Sequence, residues 1–283
     1  MLGLEEVAAP FALTGGNGFI GRAVRRQAAN RSAELAPIGR DAGLPEPESR
    51  QRLGSVLHLA WPNLVSATAS DVACCHESDW ADFVSWSVEL RRQAARAGAW
   101  FVGVGSGIEV FSGGELAEPY RTYVRRKTEL REALAEVEPS GFCWLRVHFT
   151  FGPFENAQRI VPAAIRAAIE GDVFRCGPLE RRRRWLYVDD VADALIESTQ
   201  RPRAGIWDVA GAVDVSFREL FACIEEAAGA RLRLAQAHQP TADSKLDVVR
   251  PTRPSPYVRK GAGSADDLRL RLADYVDWLH GTA

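Results

Sequence analysis

The chain has 283 residues, 46% hydrophobic and 25% charged, with a formal net charge of −2. This composition suits a globular protein with one large domain and a smaller lobe, and it excludes a charge field that would attract nucleic acid or an anionic membrane. No run approaches the roughly 20 apolar residues of a membrane helix, and no leader is visible, so we expect a cytoplasmic protein. The five cysteines, none in a C-x-x-C pair, predict reduced thiols and no metal site.

The predicted elements alternate between strands and helices over the first 150 residues. Strands are expected at 11–14, 35–38, 55–60, 100–104 and 142–147, and helices at 19–30, 79–98 and 119–137. Such alternation predicts an α/β fold of the Rossmann type, a doubly wound parallel sheet with helices on both faces. Later elements follow a looser pattern, with helices at 160–170, 189–199, 216–229 and 265–280 and a strand at 206–209.

A glycine-rich segment, Thr14-Gly15-Gly16-Asn17-Gly18-Phe19-Ile20-Gly21, joins the first predicted strand to the first predicted helix. Glycines permit a tight turn and let backbone amides approach a pyrophosphate at the positive end of a helix. The strand–turn–helix context therefore favours a dinucleotide site over a glycine turn without a ligand. Arg40, after the second strand, suits a 2′-phosphate and so favours NADP over NAD, although it also fits a solvated loop charge.

Tyr123 and Lys127 are four residues apart on the predicted helix 119–137, which places them on one helix face. Lys127 is the first of only three lysines among 35 basic residues. Because an ammonium beside a phenol lowers the pKa of the phenol, we expect Tyr123 to exchange protons near neutral pH. Ser106, after the strand 100–104, can donate a hydrogen bond to a substrate carbonyl. Together the three residues favour redox chemistry over an ordinary helix surface.

Seven segments carry a resemblance that extends over nearly the whole chain. They are TGGNGFIG (14–21), VLHLAW (56–61), GVGSGIEV (103–110), PYRTYVRRK (119–127), LRVHFTFGP (145–153), RRWLYVDDVADAL (183–195) and GIWDVAG (205–211). In these segments the chain resembles extended short-chain dehydrogenases/reductases of the NAD-dependent epimerase/dehydratase family. It is most similar to short members that look like nucleotide-sugar 4-ketoreductases.

The resemblance implies NADP or NAD as cofactor, with a nucleoside-diphosphate sugar as substrate. Tyr123 would transfer the proton, Lys127 would hold the nicotinamide ribose, and Ser106 would polarise the carbonyl. The residues that would line the cofactor after the third strand are His58, Leu59 and Ala60. The resemblance further implies a dinucleotide-binding domain of residues 1–153 with parts of 185–215, and a substrate lobe of residues 154–184 and 216–283.

On the substrate side, the resemblance implies that Arg183 contacts the diphosphate, with Arg250 or the nearby Arg253 reaching it from the C-terminal lobe. A salt bridge inside the basic run 181–184 is the alternative for Arg183. Phe149 stands where many family members have an asparagine that binds the sugar, so that hydrogen bond is missing or supplied elsewhere.

Two further departures from the family pattern concern the reaction and the cofactor pocket. Family dehydratases carry an Asp-Glu pair directly after the catalytic threonine, whereas Gly107 and Ile108 follow Ser106 here. Glu109 is one position too late for that pair and is expected to be structural. The stretch between Arg40 and Ser55 is shorter than usual, which would leave the adenine side of the pocket open or rebuilt.

The family resemblance also implies a homodimer through the helices 79–98 and 119–137. Phe83, Val84 and Leu90 would form the apolar stripe of the first helix, or they would pack on their own sheet. Three functions remain open: a reductase of a keto group, at C4, of a nucleoside-diphosphate sugar; an NAD-dependent 4-epimerase; and a cofactor-binding regulatory protein without turnover.

Overall fold

The computed structural model describes residues 9–39, 43–44, 52–62, 75–111, 116–138, 140–236 and 249–281. Within these ranges, no helix is long and apolar enough to cross a membrane. The described cysteines are free thiols. In the same part of the chain, no group of three or more His, Cys, Asp or Glu side chains is arranged to hold a metal ion.

The secondary structure follows the predicted alternation closely. The strands are β1 (Phe11–Thr14), β2 (Leu35–Ile38), β3 (Ser55–His58), β4 (Trp100–Ser106), β5 (Phe142–Val147), β6 (Thr150–Phe151), β7 (Val173–Cys176), β8 (Arg182–Arg183), β9 (Leu186–Tyr187), β10 (Gly205–Val209), β11 (Val215–Ser216) and β12 (Arg233–Gln236). The helices are α1 (Phe19–Asn30), α2 (Glu77–Arg96), α3 (Tyr120–Val137), α4 (Ile160–Glu170), α5 (Val188–Gln200), α6 (Phe217–Ala228) and α7 (Ala265–Gly281), with a 3₁₀ turn at Gly107–Val110.

Six parallel strands form the central sheet, in the order β2-β1-β3-β4-β5-β10. The apolar runs of β1, β3 and β5 are buried along their whole length, because helices cover both faces of a parallel sheet. The connection from β1 leads outward to β2, and the chain then returns to β3 on the other side of β1. This reversal creates the crevice at which open α/β sheets bind ligands. The predicted Rossmann-type fold is confirmed.

Each face of the sheet has its own apolar core. One core lies between the sheet and the helices α1 and α5, and it includes Val24, Leu57 and Leu195. The other lies under α2 and α3, and it includes Phe83 and Leu90, which are 1% and 2% exposed.

Of the two alternatives for the apolar stripe of α2, packing on its own sheet is the one that the structure supports. Phe83 and Leu90 pack on the parent sheet, and Val84 is half-buried against the same core, so these side chains do not form a free apolar surface. The outer faces of α2 and α3 instead carry ion pairs such as Arg125–Glu129. The homodimer itself stays a prediction.

A third core joins α4, α6 and α7 with the short strands that follow β5. It includes Phe151, Trp185 and Tyr275. Sequence reasoning missed these two- to four-residue strands because their partners are distant along the chain, as in the pairs β6–β9 and β11–β8. The division into a cofactor domain and a substrate lobe stays a prediction.

Candidate active site

The glycine turn lies at the crevice between the carboxyl ends of β1 and β3. Gly15 has φ +69°, and a Cβ added to it would be 2.7 Å from the backbone nitrogen of Ala60 and the carbonyl carbon of Leu59. A Cβ on Gly21 would be 2.2 Å from the Gly15 oxygen. Only glycine fits at either position, because the obstructing atoms are backbone. Leu59 and Ala60 thus form the wall against which the turn closes.

The first turn of α1 is open toward solvent. Gly18 occupies the N-cap position without a side-chain hydrogen bond, the first turn carries no acidic residue, and Asn17 and Gly18 are exposed. The N–H groups of this turn are therefore available to an anion, and the helix dipole favours one. These donors fit the pyrophosphate of a dinucleotide. Phe19 and Ile20 are half-buried and pack on the α1-side core, and the contacts of all these residues with a cofactor stay predictions.

Thr14 and His58 are buried, and their side chains form hydrogen bonds with other groups of the protein rather than lining the surface of the crevice. The Ala60 N–H donates to Thr14 Oγ1 (3.1 Å), and Thr14 lies 2.9 Å from His58 Nδ1. Ser87 Oγ donates to the Phe83 carbonyl (2.8 Å), so it accepts from His58 Nε2 at 3.2 Å. His58 is therefore neutral with its proton on Nε2. Burial, and secondarily the charge of Lys127, lower the pKa of His58 to about 3.

The predicted cofactor-selecting residue, Arg40, lies outside the described residues. Its preference for NADP stays a prediction. Of the short stretch that follows it up to residue 51, the structure describes only Gly43 and Leu44.

The predicted catalytic set converges at the carboxyl end of β4. Ser106 is the last residue of β4, and its side chain lies close enough to the Tyr123 hydroxyl of α3 to lower the pKa of that phenol. Tyr123 is half-buried, and desolvation raises the pKa of its phenol to about 12. The nearby Ser106 side chain opposes this rise, and the charge of Glu109 adds to it. The expected lowering of this pKa by Lys127 is therefore wrong, because desolvation dominates.

Lys127 is buried one helical turn from Tyr123. Its Nζ lies 6.0 Å from the Tyr123 ring centroid, 3.5 Å from the Trp61 ring centroid and 3.3 Å from the Val104 carbonyl oxygen, to which it donates. Burial lowers the pKa of Lys127 to about 8, while the charge of Glu109 acts in the opposite direction. The ammonium is thus stabilised mainly by a carbonyl oxygen, an indole face and a carboxylate.

Trp61 is a neighbour of the proposed catalytic set to which the sequence analysis gave no role. It follows Ala60 directly, and its ring packs on Tyr123 (centroids 6.2 Å apart) as well as on the Lys127 ammonium. Its position at the end of the third strand was the available signal, since strand ends at this edge of the sheet form the crevice. Nothing in the residue type alone distinguishes it from the other tryptophans.

On the substrate side, Phe149 belongs to the same apolar cluster as Tyr123 and Val249. The guanidinium of Arg183 lies 4.6 Å from the Phe149 ring centroid, and Arg183 is only 5% exposed. Arg183 is therefore held by aromatic stacking, besides a hydrogen bond to the Arg182 carbonyl (2.8 Å). The contact of Arg183 with a diphosphate stays a prediction.

The two candidate arginines of the C-terminal lobe, Arg250 and Arg253, lie in different surroundings. Arg250 is largely exposed and pairs with Asp214 (3.2 Å), which also pairs with Arg184 (3.0 Å), so it lies beside the basic run. Arg253 stacks on Trp207 at 3.7 Å, against the edge strand β10. Arg250 is thus the better candidate of the two for a diphosphate contact, and this role stays a prediction.

A buried carboxylate that sequence reasoning missed ties the Arg250 segment to the sheet. Asp208 accepts hydrogen bonds from Arg146 Nη2, the Thr252 N–H and the Arg253 N–H, each at 2.8 Å, and lies 3.1 Å from His148 Nε2. Burial alone would raise its pKa, but these hydrogen bonds and the Arg146 charge lower the pKa of Asp208 to about 2. The Asp208 carboxylate therefore holds the segment that begins at Val249 against the sheet.

Comparison with known proteins agrees with this architecture. The family model of the NAD dependent epimerase/dehydratase family matches residues 11–210. Similar solved structures include MoeE5 in complex with UDP-glucuronic acid and NAD (18% identity, TM-score 0.70, covering 97% of this chain and 100% of that one). No curated protein is significantly similar to the chain.

Two further structures share the fold. A UDP-N-acetylglucosamine 4-epimerase from Methanobrevibacter ruminantium M1 has 19% identity and a TM-score of 0.75, covering 98% of this chain and 99% of that one. A GDP-L-fucose synthetase from Naegleria fowleri bound to NADP has 16% identity and a TM-score of 0.66, covering 97% and 94%. The family match spans most of the chain, and the chain belongs to the NAD-dependent epimerase/dehydratase family of oxidoreductase-type enzymes.

Proposed function

We propose that the protein reduces a keto group, at C4, of a nucleoside-diphosphate sugar, using NADPH or NADH. The bound dinucleotide supplies a hydride for the carbonyl carbon. The carbonyl oxygen receives the proton of the Tyr123 hydroxyl, which leaves a secondary alcohol as the product and an oxidised cofactor. The observation that carries this proposal is the convergence of Ser106, Tyr123 and Lys127 at the carboxyl edge of β4.

Tyr123 can act as the proton donor of this reaction. A phenol whose pKa is raised to about 12 carries its proton throughout the physiological range, and so it can act as a donor. Ser106 orients the phenol and can donate to the same carbonyl oxygen. The Lys127 ammonium, 6.0 Å from the Tyr123 ring centroid, stabilises the phenolate that proton transfer leaves behind.

The substrate class rests on the charges and apolar surface next to Tyr123. Arg183 and Arg250 would bind the diphosphate, where a guanidinium gives two parallel hydrogen bonds to phosphate oxygens. Phe149, which shares a cluster with Tyr123, would pack against the sugar or base. Binding energy from the nucleotide then holds the keto carbon against the nicotinamide. The NADP complex of the Naegleria fucose synthetase and the NAD complex of MoeE5 support either cofactor.

A 4-epimerase that uses the same residues is the second candidate. The structure from Methanobrevibacter supports it, since that protein is a 4-epimerase of the same fold. An epimerase must first remove a proton from the substrate hydroxyl, which requires Tyr123 as a phenolate. The same tyrosine must return the proton in the second half of the reaction, so both candidates use the same three residues. Arg40, which suits NADP, is the feature that favours the reductase.

Turnover with a 4-keto nucleoside-diphosphate sugar tests the proposal. We expect the purified protein to oxidise NADPH or NADH only when this substrate is present. Tyr123→Phe should lower kcat about 1,000-fold, because it removes the proton donor, and leave cofactor binding unchanged. Tyr120→Phe, on the exposed side of the same helix, is the matched control and should retain wild-type activity. Interconversion of 4-epimers without net consumption of added cofactor would establish the epimerase instead.

A further inference from the structure

Two arginines of α1 fold back onto the glycine turn. Arg25 Nη1 donates to the side-chain oxygen of Asn17 (3.3 Å), and Arg22 Nε donates to the Asn17 carbonyl oxygen (3.0 Å). A Cβ added to Gly16 would be 3.3 Å from Arg25 Cδ, so the aliphatic stem of Arg25 packs beside the backbone of the turn. Both guanidinium groups are therefore held next to the segment that is proposed to bind the dinucleotide.

The charges of these two arginines are not neutralised by carboxylates. Among the residues that the structure describes, neither Arg22 nor Arg25 forms an ion pair, and both side chains are exposed. The neighbouring arginines differ, since Arg26 pairs with a carboxylate of α5 and Arg31 pairs with Asp193 (2.7 Å). Arg22 also lies in the first turn of α1, where the helix dipole disfavours a cation unless an anion binds nearby. This arrangement favours an anionic ligand over an ordinary solvated helix face.

The position of the turn indicates which anion this is. Thr14 is in register with Ile38, so Gly39, at the end of β2, lies beside Gly15. In dinucleotide-binding folds, the 2′ position of the adenosine ribose is recognised at the end of this second strand. A Cβ added to Gly39 would meet nothing within 4 Å, which leaves room there. Because Arg25 packs on the residue that follows Gly15, its guanidinium lies at the same end of the crevice.

NADP and NAD differ only in a phosphate at this 2′ position. A phosphate monoester carries about two negative charges near neutral pH, and a guanidinium binds its oxygens through parallel hydrogen bonds. The pyrophosphate that both cofactors share is served by the open N–H groups at the start of α1, so it does not require the two arginines.

We propose that Arg25, assisted by Arg22, binds the 2′-phosphate of NADP and makes the protein prefer NADPH to NADH. The inference rests on the proposed function, because it assumes that the glycine turn binds the dinucleotide of that reaction. It deepens that proposal by selecting one of the two cofactors through residues of α1.

Calorimetric titration with two cofactor fragments tests the inference without turnover. Adenosine 2′,5′-bisphosphate and 5′-AMP differ only in the 2′-phosphate, and neither carries a nicotinamide ring. We expect the wild type to bind the bisphosphate about tenfold more tightly than 5′-AMP. Arg25→Gln should lose about tenfold in affinity for the bisphosphate and keep its affinity for 5′-AMP. Equal affinity of the wild type for both fragments would overturn the inference.

The complete cofactors provide the same comparison. In Arg25→Gln, the Kd of NADPH should rise about tenfold, whereas the Kd of NADH should change less than about twofold. An equal loss for both cofactors would assign Arg25 to the shared pyrophosphate and contradict its role at the 2′-phosphate. Failure of the proposed reaction is a separate result, since a protein without 4-ketoreductase turnover can still bind NADPH more tightly than NADH.

Arg31→Gln is the matched control, because Arg31 caps the other end of the same helix and pairs with Asp193. It should leave the Kd of both cofactors unchanged. Arg25 is exposed, so Arg25→Gln should unfold at the same urea concentration as the wild type. The double variant Arg22→Gln/Arg25→Gln should bind NADPH and NADH with equal affinity. A preference for NADPH that survives in the double variant would assign the selection to Arg40 and overturn the inference.

Discussion

The glycine turn and the catalytic set lie at the same edge of the sheet, yet different physical effects determine their chemistry. The turn at 14–21 is open, and its shape follows from missing side chains at Gly15 and Gly21, where even one Cβ would strike backbone. In the set of Ser106, Tyr123 and Lys127, Lys127 is buried and the other two residues are half-buried, and desolvation has the largest effect on the pKa values of Tyr123 and Lys127. The first site is therefore defined by backbone geometry, and the second by desolvation.

The largest effect expected from breaking the turn is that of Gly21→Ala. The new Cβ would lie 2.2 Å from the Gly15 oxygen and 2.7 Å from Gly16 Cα, so α1 must move away from the turn. We expect a loss of about 2 kcal/mol or more in unfolding free energy, together with at least a tenfold loss of cofactor affinity. Urea denaturation and calorimetric titration with NADPH and NADH measure the two effects.

Gly39→Ala is the control for that substitution. An added Cβ at Gly39 meets nothing within 4 Å, so the variant should unfold at the same urea concentration as the wild type. Equal stability of Gly21→Ala and Gly39→Ala would show that the turn tolerates side chains and would remove the geometric basis of the site.

His58 links the two regions, and its burial predicts a pH dependence of stability. The pKa of His58 is about 3 in the folded protein and 6.5 in the unfolded chain. Because the folded-state pKa is depressed, the contribution of neutral His58 to the free energy of unfolding is fully present above pH 6.5. This contribution is lost as the pH falls toward 3. Between pH 7 and pH 5 we expect a loss of about 2 kcal/mol from this residue.

The His58→Asn variant checks this assignment by urea denaturation at both pH values. It should be less stable than the wild type at pH 7, because it breaks the chain from Thr14 to Ser87. The difference between its unfolding free energies at pH 7 and pH 5 should be smaller than that of the wild type by about 2 kcal/mol. The same pH dependence in both proteins would assign the acid sensitivity to other groups.

Local sequence patterns predicted the positions in both regions, which the structure brings to one edge of the sheet, but they did not predict the electrostatics of the second region. Glycine spacing after a strand and an i, i+4 pair on a helix are local patterns, so Gly15, Tyr123 and Lys127 could be found from the sequence. The neighbours that set the charges, Trp61 and Glu109, come from other elements. Their effect depends on tertiary burial, and this is why the predicted direction of the Tyr123 pKa was wrong.

Asp208 and the α2 stripe show the same limitation. The role of Asp208 depends on Thr252 and Arg253, 44 and 45 residues further along the chain, which only the folded protein brings to it. On α2, the apolar spacing was read correctly, but a periodic pattern does not distinguish a face that packs on its own sheet from one that packs on a partner.

The smallest effect is expected from Trp61→Leu, which removes the indole face from the Lys127 ammonium. A cation–π contact of this kind contributes about 1 kcal/mol, so the Lys127 titration, followed by ¹³C NMR of the lysine ε-carbon, should move to lower pH by less than one unit. The variant should also lose a few-fold in kcat/KM at pH 8. Trp86→Leu is a control, since Trp86 stacks near His58 (5.4 Å) on the α2 side. Equal shifts of the Lys127 titration in both variants would show that Trp61 has no specific effect on Lys127.

The fate of a labelled hydride tests the central claim most directly. With a 4-keto nucleoside-diphosphate sugar and nicotinamide cofactor deuterated at the transferred position, the account predicts one deuterium at C4 of the product for each cofactor oxidised. Tyr123→Phe should abolish this incorporation while the cofactor remains bound. Product formation without deuterium at C4, or undiminished incorporation by Tyr123→Phe, would contradict reduction with Tyr123 as the proton donor.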